Sequence, residues 1–128
     1  MKEDEKYIVD TNILIYVSKA DEGVLAILDL LDQTAFFISV ISHFEFLNGH
    51  RDERHFKDLE NLLTQLVTLD LTPEISKRAA LLDRETKKKL KFKDLLIAAT
   101  AQVEGLTLVT ADKDFQKLKG LKVKLVKL

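Results

Sequence analysis

Four acidic side chains stand where apolar runs end or begin. Asp10 follows "YIV", Glu45 lies inside "SHFEFLNG", Asp94 precedes "LLIAATA", and Asp112 comes just after "LTLVT". Singly, each has an ordinary explanation. Asp10 could satisfy free amides at a helix start, and Ser42-x-x-Glu45 has the spacing of a capping box. Asp94 could be a cap or a first-turn acid favoured by the helix dipole. Asp112, ahead of Lys113-Asp114-Phe115, reads as a turn acid. Brought together, the four imply different chemistry. Carboxylates a few ångströms apart repel, and some are forced to hold protons. A hard divalent cation removes that conflict. Carboxylate oxygens, with no cysteine in the chain and no suitable histidine pair, select Mg²⁺ or Mn²⁺ over zinc. Such a cluster, with room for one ion or two, could acidify a water and stabilise charge on a phosphate in transfer.

The surrounding elements must place these acids. "YIVD" reads as a buried strand, and the Asp-Thr-Asn that follows is helix-start chemistry for a helix to Lys19. From Asp21, apolar residues recur at Val24, Ile27, Leu28 and Leu31, the stripe of an amphipathic helix. "AFFISV" (35–40) is a second buried strand, and "SHFEFLNG" (42–49) a short helix closed by Gly49. Phe56, Leu59, Leu63 and Leu66 mark another helix, and Val67–Leu71 a short strand. Thr72-Pro73 then opens a helix to about Leu90. "DLLIAATAQVEG" (94–105), apolar almost all round, is a helix buried against a sheet. "LTLVT" (106–110) is a third buried strand, and "KVKLVK" an edge strand defended by Lys122, Lys124 and Lys127. Strands alternating with helices, the strands continuously apolar, predict a parallel three-layer α/β/α sandwich. Asp10, Glu45 and Asp112 then leave the carboxyl ends of strands, where open parallel sheets bind ligands. Asp94 heads a helix returning toward that edge.

The bulk properties narrow the setting. A chain of 128 residues with one proline and no repeat predicts a single domain over 1–128. No apolar stretch approaches the ~20 residues that span a bilayer. The charged opening "MKEDEK" is unlike a secretory leader, so a cytoplasmic protein is the expectation. With 20 basic and 21 acidic side chains, bulk charge will not hold nucleic acid. Any grip on phosphates must come from bound metal or from a local lysine cluster. "KKKLKFKD" (87–94) offers one, with Lys88, Lys91 and Lys93 as candidate RNA contacts; a solvated helix end is the alternative. His43, His50 and His55 are too close and too irregular for an acid–base assignment. Phe44 and Phe46 read as core or interface.

"IVDTNILI" (8–15), "ISVISHFEFLNG" (38–49), "KFKDLLIAATA" (91–101) and "LVTADKDF" (108–115) together make the chain resemble the PIN-domain ribonucleases, most closely their VapC-like toxin members. That resemblance implies a twisted, mainly parallel five-stranded sheet between helices and a metal-dependent endoribonuclease. Its metal-binding and catalytic acids fall on Asp10, Glu45, Asp94 and Asp112. Thr11 would bond within the cluster or to its water, and Asn12 would hold the turn. Ser39 or Ser42 would orient Glu45, although capping is the simpler role for Ser42. The cation would activate water for in-line attack, leaving a 5′-phosphate and a 3′-hydroxyl. The resemblance also implies an RNA substrate, an inhibiting antitoxin and a homodimer.

Two features depart from the family pattern. Ala111 replaces a frequent basic residue, and Asp114 adds an acid, so Asp112 and Asp114 compete for the fourth role; Asp112 lies nearer the strand end. A housekeeping PIN nuclease is the close alternative to a toxin. A phosphoacceptor signalling module fits poorly, because Thr-Asn follows Asp10. A haloacid-dehalogenase-type phosphatase would place an Asp at position 12, where Asn12 stands. A non-catalytic PIN scaffold would not need all four acids.

Overall fold

The computed structural model describes residues 5–18, 36–49, 53–87 and 89–127. Its strands are β1 (Tyr7–Val9), β2 (Phe36–Ser39), β3 (Val67–Leu69), β4 (Thr107–Thr110) and β5 (Val123–Leu125). The described helices are α1 (Thr11–Ser18), α2 (Val40–Asn48), α3 (Glu53–Leu63), α4 (Pro73–Glu85) and α5 (Phe92–Glu104), with a 3₁₀ turn at Lys113–Lys117. The expected helix from Asp21 lies outside the described residues, as do Lys88, His50 and the side chain of His55.

Alternate residues of the central strands serve two cores. Ile8 and Leu108 pack with Ile75 and Leu82 of α4, Ile97 of α5 and Phe115. Tyr7, Val9 and Val109 pack with Ile13 of α1, Phe46 of α2 and Leu59 of α3. A period of two with both faces covered explains why these strands read as unbroken apolar runs. Every strand pairing is parallel, so the "mainly parallel" expectation becomes wholly parallel.

The strand order is β3-β2-β1-β4-β5. The chain builds outward from β1 through β2 to β3, then returns to lay β4 on the other side of β1. That reversal makes the carboxyl ends of β1 and β4 a topological switch point, where such sheets open a crevice. Helices between parallel strands run back against them, so α5 begins at this same edge. Its residues Leu95 and Ile97 to Ala101 are buried, and the small side chains among them let its backbone approach its neighbours closely. Gly105 ends it at φ 69°, left-handed, with its N–H returned to Ala101 and Gln102.

Several boundaries differ from expectation. The α2 helix starts at Val40, and its cap is Ser39, whose Oγ accepts from the Ile41 N–H at 3.0 Å. Ser42-x-x-Glu45 is therefore no capping box: Ser42 is a fully buried interior residue, and Glu45 lies beyond the first turn. Ser39 already has extended backbone as the last residue of β2, so cap chemistry at the strand end pre-empts that at Ser42. Gly49 closes α2 in right-handed geometry, φ −72°, without the left-handed turn expected of a glycine cap. Thr72 caps α4 as expected, accepting from the Ile75 N–H at 3.2 Å. That helix stops at Glu85, short of Leu90, where the Thr86 hydroxyl donates to the Leu82 carbonyl. The lysine run is thus mostly a connection between α4 and α5. Of the two phenylalanines, Phe46 is core and Phe44 is 60% exposed.

Candidate active site

Asp10 follows β1 directly and is 6% exposed. Its carbonyl accepts the Ile13 and Leu14 amides, so it caps α1. Its carboxylate does more. Oδ1 accepts from the Thr11 N–H at 2.8 Å, and Oδ2 accepts from the Thr110 hydroxyl at 2.7 Å. Thr110 ends the adjacent strand, and its Oγ1 also accepts the Asp112 N–H at 3.1 Å. One threonine therefore holds an acid on each side of the switch point. Burial pushes the Asp10 carboxyl from 3.8 up to about 6. The bonds from Thr110 and Thr11 pull against this, while the charges of Asp94 and Asp112 add to it.

Glu45 reaches the same region from α2. The Thr11 hydroxyl lies 2.9 Å from its Oε1 and 3.0 Å from the Ser42 Oγ. Thr11 has one hydroxyl proton and an ionised carboxylate only accepts, so Thr11 donates to Glu45 and Ser42 donates to Thr11. The other oxygen, Oε2, lies 3.2 Å from the Lys93 ammonium on α5. Ser42, through Thr11, thus orients Glu45, while Ser39 is occupied as the cap of α2. That reverses the simpler assignment.

Asp94 sits in the first turn of α5. Its carboxyl is pushed up, first by burial, then by the charges of Asp112 and Glu45, against the pull of Lys91 and Lys93. Asp112 caps the 3₁₀ turn, its Oδ1 accepting from the Asp114 N–H at 2.9 Å. Asp114 instead contacts Lys117 at 3.3 Å. The charge of Asp112 contributes to the field felt at Asp10 and Asp94. The buried Oδ1 of Asn12 has no hydrogen-bond partner among the described residues.

The four acids thus share one electrostatic neighbourhood. Among the described residues, no three acidic or histidine side chains form a ready ligand cage. Glu45 is turned to Thr11 and Lys93. The donor set nevertheless suits a hard divalent cation. Every candidate ligand is a carboxylate oxygen, and Asp10 and Asp94 resist ionisation for reasons a cation there would relieve.

Two contributors are missing from the sequence reading. Thr110 looks like an ordinary strand residue; its signal is a hydroxyl at the end of an apolar strand just ahead of an acid. The Lys93–Glu45 pair joins elements far apart in the chain, which no local pattern encodes.

Comparison with known proteins identifies the family and the fold. The PIN domain family model matches residues 7–121. Ribonuclease VapC2 of Haemophilus influenzae is 33% identical over 127 aligned residues, covering 91% of this chain and 95% of the relative. A toxin–antitoxin complex from Klebsiella pneumoniae contains a chain with a TM-score of 0.84 at 27% identity, covering 96% of this chain and all of that one. The VapBC2 complex of Rickettsia felis, bound to a DNA fragment from its promoter, matches with a TM-score of 0.84 at 25% identity over 94% of this chain and 98% of its own. With a family match over nearly its whole length and a VapC ribonuclease as relative, the chain belongs to the PIN domain family.

Proposed function

We propose that this chain is a metal-dependent endoribonuclease and the toxin of a toxin–antitoxin pair, with Asp10, Glu45, Asp94 and Asp112 as its cation-holding acids. One observation carries the reading: in a PIN domain, Asp10 is buried at the switch point, joined through Thr110 to the segment of Asp112, with the charges of Asp94 and Asp112 pushing its carboxyl up. Such a cluster is costly alone and well matched to Mg²⁺ or Mn²⁺. When bound, the cation supplies an acidified water and neutralises charge developing on the phosphodiester.

The chain's own residues orient the parts. Thr11 and Thr110 fix both oxygens of Asp10, and Thr110 also holds the backbone of Asp112. Thr11, backed by Ser42, fixes Glu45. Lys91 and Lys93, at the start of α5, supply positive charge for the RNA backbone, and Lys88 extends the same run in sequence. Water attacks in line, and the products carry a 5′-phosphate and a 3′-hydroxyl. The VapBC2 and Klebsiella pneumoniae relatives were solved as toxin–antitoxin complexes, which supports an antitoxin partner here. We assign residues 1–128 to one domain, acting in the cytoplasm and pairing as a homodimer. No described helix is long and apolar enough to cross a membrane.

The test is cleavage of a mixed RNA pool by purified protein with Mg²⁺ or Mn²⁺ against EDTA, alongside Asp10→Asn and Asp94→Asn. Metal-dependent cutting lost in both variants is the expected result. Equal cutting by wild type and variants would overturn the assignment of the acids. Growth arrest on expression, relieved by an adjacent small gene, separates a toxin from a housekeeping nuclease.

A further inference from the structure

We propose that Lys93 is a positioning residue that exchanges Glu45 for an RNA phosphate when the cation binds, an inference that rests on the four-acid reading above. Both Glu45 oxygens are already engaged, Oε1 by the Thr11 hydroxyl at 2.9 Å and Oε2 by the Lys93 ammonium at 3.2 Å. A cation brought to Glu45 must share the carboxylate with these two partners. The Thr11 bond need not go, because a carboxylate has about four lone-pair sites and a neutral hydroxyl does not repel a cation. The ammonium does repel it.

The Lys93 contact is also the easier one to break. Its side chain is 41% exposed and that of Glu45 26%, so water screens the pair. A lysine is a point charge on a flexible stem and holds no fixed fork geometry. Helix stability does not explain Lys93 either. It is the second residue of α5, where the positive end of the helix dipole disfavours a cation. Its placement calls for an anionic partner, and Glu45 is that partner here.

Released, Lys93 stands next in sequence to Asp94, at the carboxyl edge where a phosphate must come to meet the acids. An ammonium there makes a charge-assisted bond to a phosphate oxygen. Cation and RNA therefore favour one another, and linkage makes that coupling reciprocal.

The test uses the full chain and two readouts other than turnover: Mn²⁺ affinity by calorimetry, and binding of a short mixed-sequence phosphorothioate RNA by fluorescence anisotropy, with and without Mn²⁺. Lys93→Met should bind Mn²⁺ about two- to five-fold more tightly, the scale of a screened ion pair. The same variant should lose most of the gain in RNA affinity that Mn²⁺ gives the wild type. Lys93→Arg should restore the RNA gain, and thermal melts check that both variants fold. A role in merely tying α2 to α5 would not give opposite signs for metal and RNA. Unchanged or weaker Mn²⁺ binding by Lys93→Met, with wild type binding normally, would overturn this inference alone. Wild type that binds no Mn²⁺ would overturn the four-acid reading and this one with it.

Discussion

Asp10→Asn should make the metal-free protein more stable at neutral pH, and the structure sets the scale. Moving the Asp10 carboxyl from 3.8 to about 6 is equivalent to about 3 kcal/mol. Between those values the folded chain binds more protons than the unfolded chain, so stability falls as pH rises. The loss starts near the unfolded value and is complete above the folded one. Asp94 is pushed in the same direction and adds to the same trend. Asparagine keeps the shape, the Thr11 bond and the backbone cap while removing the charge. Its amide, however, faces the Thr110 hydroxyl, which must turn round to accept, at a cost of about 1 kcal/mol. The net expectation is a gain of about 1–2 kcal/mol, or roughly 3–8 °C in melting temperature, at about pH 7.5 in EDTA. Near pH 5 the wild-type carboxyl is mostly protonated, and the advantage shrinks by about 1.5 kcal/mol. Circular-dichroism melts at the two pH values measure both quantities. Added Mn²⁺ should raise the wild-type transition more than that of the variant. A variant less stable at both pH values, or a gap that ignores pH, would refute the claim that the folded protein strains against this charge.

Three further substitutions probe the supporting residues. Thr110→Val removes the donor to Asp10 and the acceptor for the Asp112 N–H, and should cost about 2–3 kcal/mol at neutral pH and less near pH 5, by the same melts. It should also move the Asp10 carboxyl above about 6, which carboxyl-carbon NMR titration reads directly. Thr11→Val takes the donor from Glu45 and should weaken Mn²⁺ binding about ten-fold by calorimetry, with a stability change of about 1 kcal/mol. Gly105→Ala places a Cβ in open space at φ +69°, so only the backbone resists, and a loss of about 1 kcal/mol in a denaturant titration is expected.

Much of this architecture is readable in the chain because burial on both faces leaves continuous runs. "YIV" and "LTLVT" are short and rich in β-branched residues, whereas "DLLIAATAQVEG" is longer, rich in Ala and Leu, and ends in glycine. The helix boundaries are harder. Ser39 and Ser42 both carry cap chemistry, and what selects Ser39 is that it ends β2 with extended backbone. Beyond Glu85 the chain has lysines in place of an apolar stripe, so periodicity gives no stop signal. The neighbourhood of the four acids is legible only through topology. Their meeting depends on β4 docking beside β1, a choice made by packing of distant segments. The same holds for the hydroxyl of Thr110 and the ammonium of Lys93, whose partners are set by that docking.

Capping and chemistry, which the sequence poses as alternatives at Asp10, are not exclusive. The Asp10 carbonyl and Oδ1 both serve the start of α1, so the residue is a cap in the full sense. A cap selected for stability alone gains from an ionised carboxylate facing the positive end of the helix, which would lower its pKa. Asp10 goes the other way, pushed up to about 6 beneath the sheet edge with two more acids adding to its burden. Serine or asparagine would cap α1 without that cost. Burial makes the charge costly here while the Thr11 N–H at the helix start pulls the carboxyl down, so the cost is not the helix's; on the function proposed above, a cation at the switch point would offset it.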